Sequence, residues 1–286
     1  MNENTIAEKL NSATSKLFEA GIDTARLDAE VLLSYVLNCR RLALYVNVKK
    51  ALTDEQISRY DALIARRLEH IPVAYLIGYK EFMGMKFAVT PEVLIPRPDT
   101  EILVQGVIER LLNFKGDFRL ADICTGSGAI GISILKFIEH ITAEAVDISK
   151  DAISMAKFNA KKFNVDNRIN FHVGNLFEPL AGQKFNVIVS NPPYIPTGDF
   201  QTLQAEVKNE PKVALDGGAD GLDFYGKIFS QAADFLFDEG FVAVEVGGND
   251  SAAAVQKIIE ETGNFGEIQI WKDLANINRV VVAWKK

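Results

Sequence analysis

Hydrophobic positions in the first 75 residues recur at helical spacing. In "TIAEKLNSATSKLFEAG", Ile6, Leu10 and Leu17 fall along one side of a helix that Gly21 closes. "ARLDAEVLLSYVLN" predicts a second helix with Leu27, Val31, Leu32, Tyr35 and Val36 as its apolar face. "TDEQISRYDALIARRLEH" opens with Thr53, and Gln56 three residues later completes a capping box. Together these elements predict a small helical bundle over residues 1–75.

The period changes over residues 76–96. "EFMGMKFAVT" alternates weakly about Gly84 and has no helical stripe, so a β-hairpin linker between two domains is expected. "IPRPDTE" follows. Pro98 suits a first helical turn, and Asp99 and Glu101 suit its positive end, predicting a helix to about Leu112.

From Phe118 on, strand and helix patterns alternate. "RLADIC", "ITAEAVDI", "RINFHVG", "FNVIVSN" and "GFVAVEVG" read as strands, separated by helices such as "GAIGISILKFI", "KDAISMAKFNAKKF" and "SAAAVQKIIEET". "GEIQIWKD" and "RVVVAWKK" lie close in sequence and predict an antiparallel pair. The fold class expected for residues 97–286 is α/β: a mostly parallel seven-stranded sheet, helices on both faces, ligands beyond the strands' carboxyl ends.

Composition narrows the class of function. The chain has 286 residues, 48% hydrophobic and 24% charged, with a formal net charge of −7. An acidic balance argues against a protein held to nucleic acid by phosphate contacts. Cys39 and Cys124 are far apart and suit a reducing compartment. "MNENTIAEKL" lacks the features of a signal peptide, and no run of about 18 apolar residues predicts a membrane span, so a cytoplasmic location is expected. His70, His140 and His172 are scattered, and no metal site is expected. "DGGADGLD" at 216–223 fails calcium-loop spacing, because Gly218 holds the third position; a loop near the active site is expected.

The first strand of the α/β region runs into "ADICTGSGAIG", where Gly126, Gly128 and Gly131 spell G-x-G-x-x-G. That pattern also fits an ordinary strand-to-helix turn that needs small residues. Its functional form is a loop whose backbone closely approaches a nucleotide-containing ligand. Asp122 stands before the loop, in the strand tip. A carboxylate there opposes a phosphate and suits a cation, which favours S-adenosylmethionine, a sulfonium and ammonium without phosphate, over a dinucleotide. Asp147 ends the second strand, where it can accept from both ribose hydroxyls of either ligand. Asn175, in "VGNLF", can meet an adenine or simply be a solvated turn residue, with Leu176 and Phe177 able to cover the base.

"SNPPYI" ends the fourth strand abruptly, since proline has no N–H for the ladder. Beside the first strand, Asn191 would face the cofactor's methyl group. An amide or amino nitrogen is a poor nucleophile with two N–H donors. The Asn191 side-chain oxygen and the Pro192 carbonyl can accept one each, fixing the nitrogen and stabilising its developing positive charge. Pro192 and Pro193 hold both acceptors rigid, and Tyr194 can pack on a planar amide or base. No general base is needed if the proton leaves after transfer.

With these motifs the chain resembles the HemK-type protein-(glutamine) methyltransferases that modify peptide chain release factors. The resemblance rests on "IPVAYLIGYKEFMGMKFAVTPEVLIPRPDTE", "DICTGSGAIGI", "AVDIS", "GNLFEPL", "SNPPYIP", "EPKVALDGGADGLDFY" and "DLANINRVVVA", and covers nearly the whole length. It implies a helical substrate-recognition domain, a hairpin linker and a Rossmann-like class I methyltransferase domain acting on the glutamine of a Gly-Gly-Gln loop. It implies cofactor contacts at Cys124, Thr125, Gly126, Ser127 and Gly128, at Asp147, near Asn175 or Leu176 and at Asn191, with substrate contacts from Asn191 to Tyr194. Two positions depart from the family's pattern: Cys124 stands where Gly is usual, and Asn175 where many relatives carry Asp. "NIN" at 276–278 replaces a glycine-containing turn, and Asn tolerates positive φ.

Two other functions fit parts of the sequence. A nucleic-acid exocyclic-amine methyltransferase presents the same two-donor nitrogen, though no long basic or aromatic recognition segment accompanies it. A binding module would keep the cofactor fold without turnover. Arg97 is a candidate for holding a carboxylate or for a surface ion pair, and Glu245, at a strand's carboxyl end, is a candidate pocket residue.

Overall fold

The computed structural model describes residues 4–112 and 116–286, which divide into two compact units. One comprises the described residues to Tyr79 together with Gln204–Asn209; the other runs from Lys80 to Leu203 and from Glu210 to Lys286.

The first unit is helical: α1 (Ile6–Glu19), α2 (Ala25–Val36), α3 (Leu42–Val46), α4 (Asp54–Leu68) and α5 (Val73–Ile77). Both α1 and α4 begin with complete capping boxes, Thr5 with Glu8 and Thr53 with Gln56. Ile6, Leu10 and Leu17 are buried as their spacing predicts. The face expected for α2 is rotated. Leu27 and Tyr35 are exposed, while Ala29, Leu32, Leu33 and Val36 are buried with the polar Asp28, Glu30 and Ser34. The reason is long-range pairing: Asp28 accepts from buried Arg67 at 2.8 Å, and Arg67 also pairs with Glu206. A buried carboxylate with such a partner is tolerated where an unpaired one is not.

Gly78, at φ 78°, ends α5 in the left-handed conformation. The hairpin that follows, β1 (Tyr79–Phe82) and β2 (Met85–Ala88), is shorter than the 76–96 span expected of it. An irregular stretch then leads to α6 (Thr100–Leu111), which starts two residues later than Pro98 suggested, with Asp99 at the cap.

The rest of the second unit alternates: β3 (Phe118–Ile123), α7 (Ala129–Phe137), β4 (Ile141–Asp147), α8 (Lys150–Lys162), β5 (Ile169–Val173), β6 (Phe185–Ser190), α9 (Asp223–Phe235), β7 (Leu236–Glu245), α10 (Asn249–Thr262), β8 (Phe265–Lys272) and β9 (Asn278–Lys285). Seven strands form one sheet in the order β5-β4-β3-β6-β7-β9-β8. Neighbours from β5 to β7 are parallel, and β9 is antiparallel to both β7 and β8.

Period-two alternation splits the core into two layers. Val187, Val189, Ala243, Val280 and Val282 pack on the face covered by α6, α7 and α8. Ile188, Val242, Val244 and Val281 pack on the other, under α9 and α10. α6 lies close to the sheet because residue 106 is glycine: a Cβ there would be 2.2 Å from the Trp271 ring. Strand order reverses beside β3, whose two neighbours are β4 and β6, so a ligand crevice is expected beyond those carboxyl ends. Among the described residues no helix is long and apolar enough to cross a membrane.

Candidate active site

A cavity of about 400 Å³ opens at that point. Its floor is the loop after β3. Cys124, Gly126 and Gly128 all have positive φ, at 60°, 55° and 80°. Glycine adopts this freely and cysteine at a cost, which gives a physical reason for glycine being usual at position 124. The third glycine of the motif answers a different need. A Cβ at Gly131 would be 2.8 Å from Asp122 Oδ2. That oxygen accepts from the Gly131 N–H at 3.0 Å and from the Thr125 hydroxyl at 2.6 Å.

Asp122 therefore sits under the loop and does not line the cavity, contrary to the expectation that it faces a cationic ligand. Strand alternation explains this: Asp122 shares its parity with Leu120, on the side that α7 covers. Burial pushes its carboxyl up to about 7, against the pull of its two hydrogen bonds and with a small addition from the charge of Asp147.

Asp147 does line the cavity. Its Oδ2 accepts from the Gly126 N–H at 2.8 Å and its Oδ1 from the Ser149 N–H at 2.9 Å. Each oxygen keeps a second acceptor site. Burial raises its pKa. Asn175 and Leu176 also line the cavity. Asn175 is exposed and donates to Glu178 at 3.1 Å, while Leu176 is buried at φ 49°. Phe177, expected to help cover a base, is instead in the core, stacked on Phe235 with centroids 4.7 Å apart.

At the fourth tip, Asn191 and Pro193 line the cavity; Pro192 is buried beside them. Asn191 Nδ2 donates to Thr100 Oγ1 at 3.3 Å. The Tyr194 hydroxyl is 3.4 Å from Glu245 Oε1, and Tyr194 does not line the cavity. Tyr194 and the residues after it are braced by the glycine-rich stretch at 216–223. Ile195 N–H donates to Leu215, and Gly217 N–H donates back to Ile195, both at 2.9 Å. A Cβ at Gly217 would be 2.7 Å from Tyr194 Cα, and one at Gly221 would be 2.3 Å from the Tyr194 carbonyl oxygen. Those glycines are thus a clamp on the NPPY corner.

Of the residues expected at the site, Cys124, Thr125, Gly126, Ser127, Asp147, Asn175, Leu176, Asn191 and Pro193 surround one cavity; Asp122, Gly128, Pro192 and Tyr194 do not line it. Arg97 pairs with buried Glu210, which also accepts from the Ile95 N–H. Leu94 and Pro96, from an irregular stretch, and Phe224 and Lys227 on α9 also line the cavity; none of them was singled out in the sequence, where neither periodicity nor spacing marks them.

The charged lining residues are Glu92, Asp147 and Lys227, two carboxylates against one ammonium. Apolar walls from Ile130, Val146, Ile148 and Leu176 complete it. This donor set fits a cationic nucleoside such as S-adenosylmethionine and does not fit a pyrophosphate.

A parallel sheet whose last strand enters antiparallel at the next-to-edge position, here between β7 and β8, with its crevice at the first strand's tip, is the architecture of Rossmann-like class I methyltransferases, and the second unit has it. The family described as "Methyltransferase small domain" matches residues 99–219, and the "PrmC N-terminal domain" family matches residues 8–78. The release factor glutamine methyltransferase of Geobacter sulfurreducens is 41% identical over 97% of this chain and 95% of its own. That of Clostridium acetobutylicum is 41% identical over 97% of this chain and 98% of its own. A solved methyltransferase of Pyrococcus furiosus, 18% identical, shares the fold with a TM-score of 0.50 over 80% of this chain and 98% of that one. This chain belongs to the release factor glutamine methyltransferase family.

Proposed function

We propose that this protein methylates the side-chain amide of a glutamine in peptide chain release factors, the one in their Gly-Gly-Gln loop, with S-adenosylmethionine as donor. The observation that carries this reading is Asn191: it lines the cavity while its own Nδ2 is engaged by Thr100, so its Oδ1 is free to accept from a substrate N–H.

When bound, S-adenosylmethionine supplies an electrophilic methyl carbon. The glycine loop offers backbone close to the nucleoside, Asp147 accepts from ribose hydroxyls, and Leu176 and Ile148 cover apolar surface. Asn191 Oδ1 and the Pro192 carbonyl accept the two N–H groups of a glutamine amide. Their dipoles favour the positive charge that develops on its nitrogen, whose proton then leaves to water. Tyr194, behind the cavity, holds the corner through Glu245. Residues 1–75 serve substrate recognition, and a substrate that acts in translation places the enzyme in the cytoplasm.

The test is transfer of labelled methyl to a release factor and to its loop Gln→Ala variant. Label on the first alone, mapped by mass to the glutamine, is expected. Equal labelling of both removes the claim, and label in DNA or RNA instead would move the reading to exocyclic amines. Asn191→Ala is expected to bind cofactor normally and lose activity.

A further inference from the structure

Residues 89–99 join β2 to α6 without helix or strand, and Pro91, Pro96 and Pro98 among them carry no N–H for a ladder. This strap nevertheless supplies Leu94 and Pro96 to the cavity lining. Glu210 holds it. The Glu210 side chain is 2% exposed, and each of its oxygens takes one donor. Oε2 accepts from the Ile95 N–H at 3.0 Å, and Oε1 accepts from the Arg97 guanidinium. A buried carboxylate needs such partners, and a charged donor makes the second bond a strong one. Just after Glu210, Val213 and Ala214 line the same cavity from a single 3-10 turn, Lys212–Ala214.

Two hydrogen-bonded routes run from Glu210 to the NPPY corner. Along the strap, the Thr100 N–H donates to the Arg97 carbonyl at 3.1 Å, across a turn that Pro98 stiffens, and Thr100 Oγ1 accepts from Asn191 Nδ2 at 3.3 Å. Along the other segment, the Leu215 N–H donates to the Lys212 carbonyl at 3.0 Å, and the Leu215 carbonyl accepts from the Ile195 N–H at 2.9 Å. Asn191 and Ile195 stand at the two ends of the corner, so Glu210 closes a ring that the corner completes. Glutamine could not take its place. A carboxamide has one acceptor oxygen, and its NH₂ would face either the Ile95 N–H or the guanidinium, donor against donor.

We propose that Glu210 is a positioning residue: its carboxylate clasps the strap to the segment at 212–215, which holds the cavity lining closed on the cofactor and keeps Thr100 within reach of Asn191. This rests on the reading of the cavity as the S-adenosylmethionine site and of Asn191 as an acceptor for the substrate nitrogen. Without the clasp the strap spends part of its time open. Cofactor binds only the closed fraction, so its apparent dissociation constant rises as the inverse of that fraction. Thr100 moves with the strap, so Asn191 loses its fixed amide and turnover falls as well. Replacing Thr100 by valine, which keeps the shape and removes the oxygen, cuts only the link from strap to Asn191. The two substitutions therefore differ in signature: loss of the Glu210 carboxylate weakens cofactor binding and turnover, and loss of the Thr100 oxygen weakens turnover alone.

The experiment compares wild type, Glu210→Gln, Arg97→Met, Arg97→Lys, Thr100→Val and Asn191→Ala as full chains, at a temperature where circular dichroism shows each one folded. It reads kcat on a release factor, the dissociation constant for S-adenosylhomocysteine, and hydrogen exchange of the peptide that contains Ile95. Glu210→Gln is expected to raise the dissociation constant about 10-fold, a strap closed about one-tenth of the time, and to lower kcat by about 10- to 100-fold. Its Ile95 amide should exchange faster than in wild type. Arg97→Met keeps the Ile95 bond and should show the same pattern more weakly; it carries the test if Glu210→Gln does not fold. Arg97→Lys keeps a charged donor and should recover most of both losses. Thr100→Val should lower kcat with the dissociation constant within about twofold of wild type. The double variant E210Q/T100V should turn over no more slowly than the worse single one. Wild-type kcat and cofactor affinity in Glu210→Gln, or in Arg97→Met where it stands in, would overturn the proposal, even beside a loss of thermal stability. A wild type that binds no S-adenosylhomocysteine, or an Asn191→Ala that stays active, would overturn the functional reading beneath it. A working wild type and an inactive Asn191→Ala beside an unaffected Glu210→Gln would overturn the clasp alone.

Discussion

Replacing Gly221 by alanine is expected to damage catalysis and stability together, from a residue outside the cavity lining. Gly221 has φ 78°, and an added Cβ would be 2.3 Å from the Tyr194 carbonyl oxygen and 3.3 Å from Pro196 Cδ. The left-handed backbone costs an L-residue roughly 1–2 kcal/mol. The contact is about 1 Å inside ordinary van der Waals distance, and the atom it meets is backbone, so the corner must move; overpacking of this kind costs about 1–3 kcal/mol. The sum is about 2–5 kcal/mol, a fall in Tm on the order of 10 °C for a unit of this size. A displacement near 1 Å at Tyr194 also shifts the neighbouring acceptors, and misplacement on that scale costs about 100-fold in rate. Gly182→Ala is the matched control, since Gly182 has φ 77° and nothing within 4 Å of its added Cβ. It should lose only the backbone cost and keep its activity. Scanning calorimetry and labelled-methyl kinetics on both variants decide the matter. If Gly221→Ala behaves like Gly182→Ala in both assays, the glycine-rich stretch is not a clamp.

Other expectations follow from particular groups. Asp122 has a folded pKa raised by burial to about 7, above the ordinary carboxylate value of 3.8, so the folded state holds a proton between those values and stability is lost as pH rises from one to the other. From pH 5 to pH 8 this amounts to about 3 kcal/mol, two pH units at about 1.4 kcal/mol each. Asp122→Asn should flatten that part of the slope in denaturant titrations at the two pH values. Thr53→Ala removes a capping box from α4 and should cost about 1 kcal/mol. It should show in far-UV circular dichroism more than in tryptophan fluorescence, because Trp271 and Trp284 both lie in the second unit.

Strong periodicity and strand-tip chemistry were readable in the sequence because each is local. The two capping boxes, the antiparallel final pair and the loop after β3 all depend on residues within one or two turns of each other. Asn276, read as tolerant of positive φ, has φ 63°. What escaped was direction and distant pairing. The polar buried face of α2 depends on Arg67, 39 residues away from Asp28, and residue type alone cannot show that. Asp122 was read for its charge, yet its parity with Leu120 already turned it toward α7. Thr100, inside "IPRPDTE", drew no reading at all, because only the approach of Asn191, 91 residues on, gives it a partner.

The six residues Gln204–Asn209 belong with the helical unit although the chain on both sides of them belongs to the other. Modularity is therefore not linear here. A shuffling event or a designed graft that cut once near residue 79 would carry off the helices and leave Glu206 behind, stranding Arg67 with one of its two carboxylates. Exchange of the helical unit between relatives must move two inserts in concert, which makes each such chimera a double crossover.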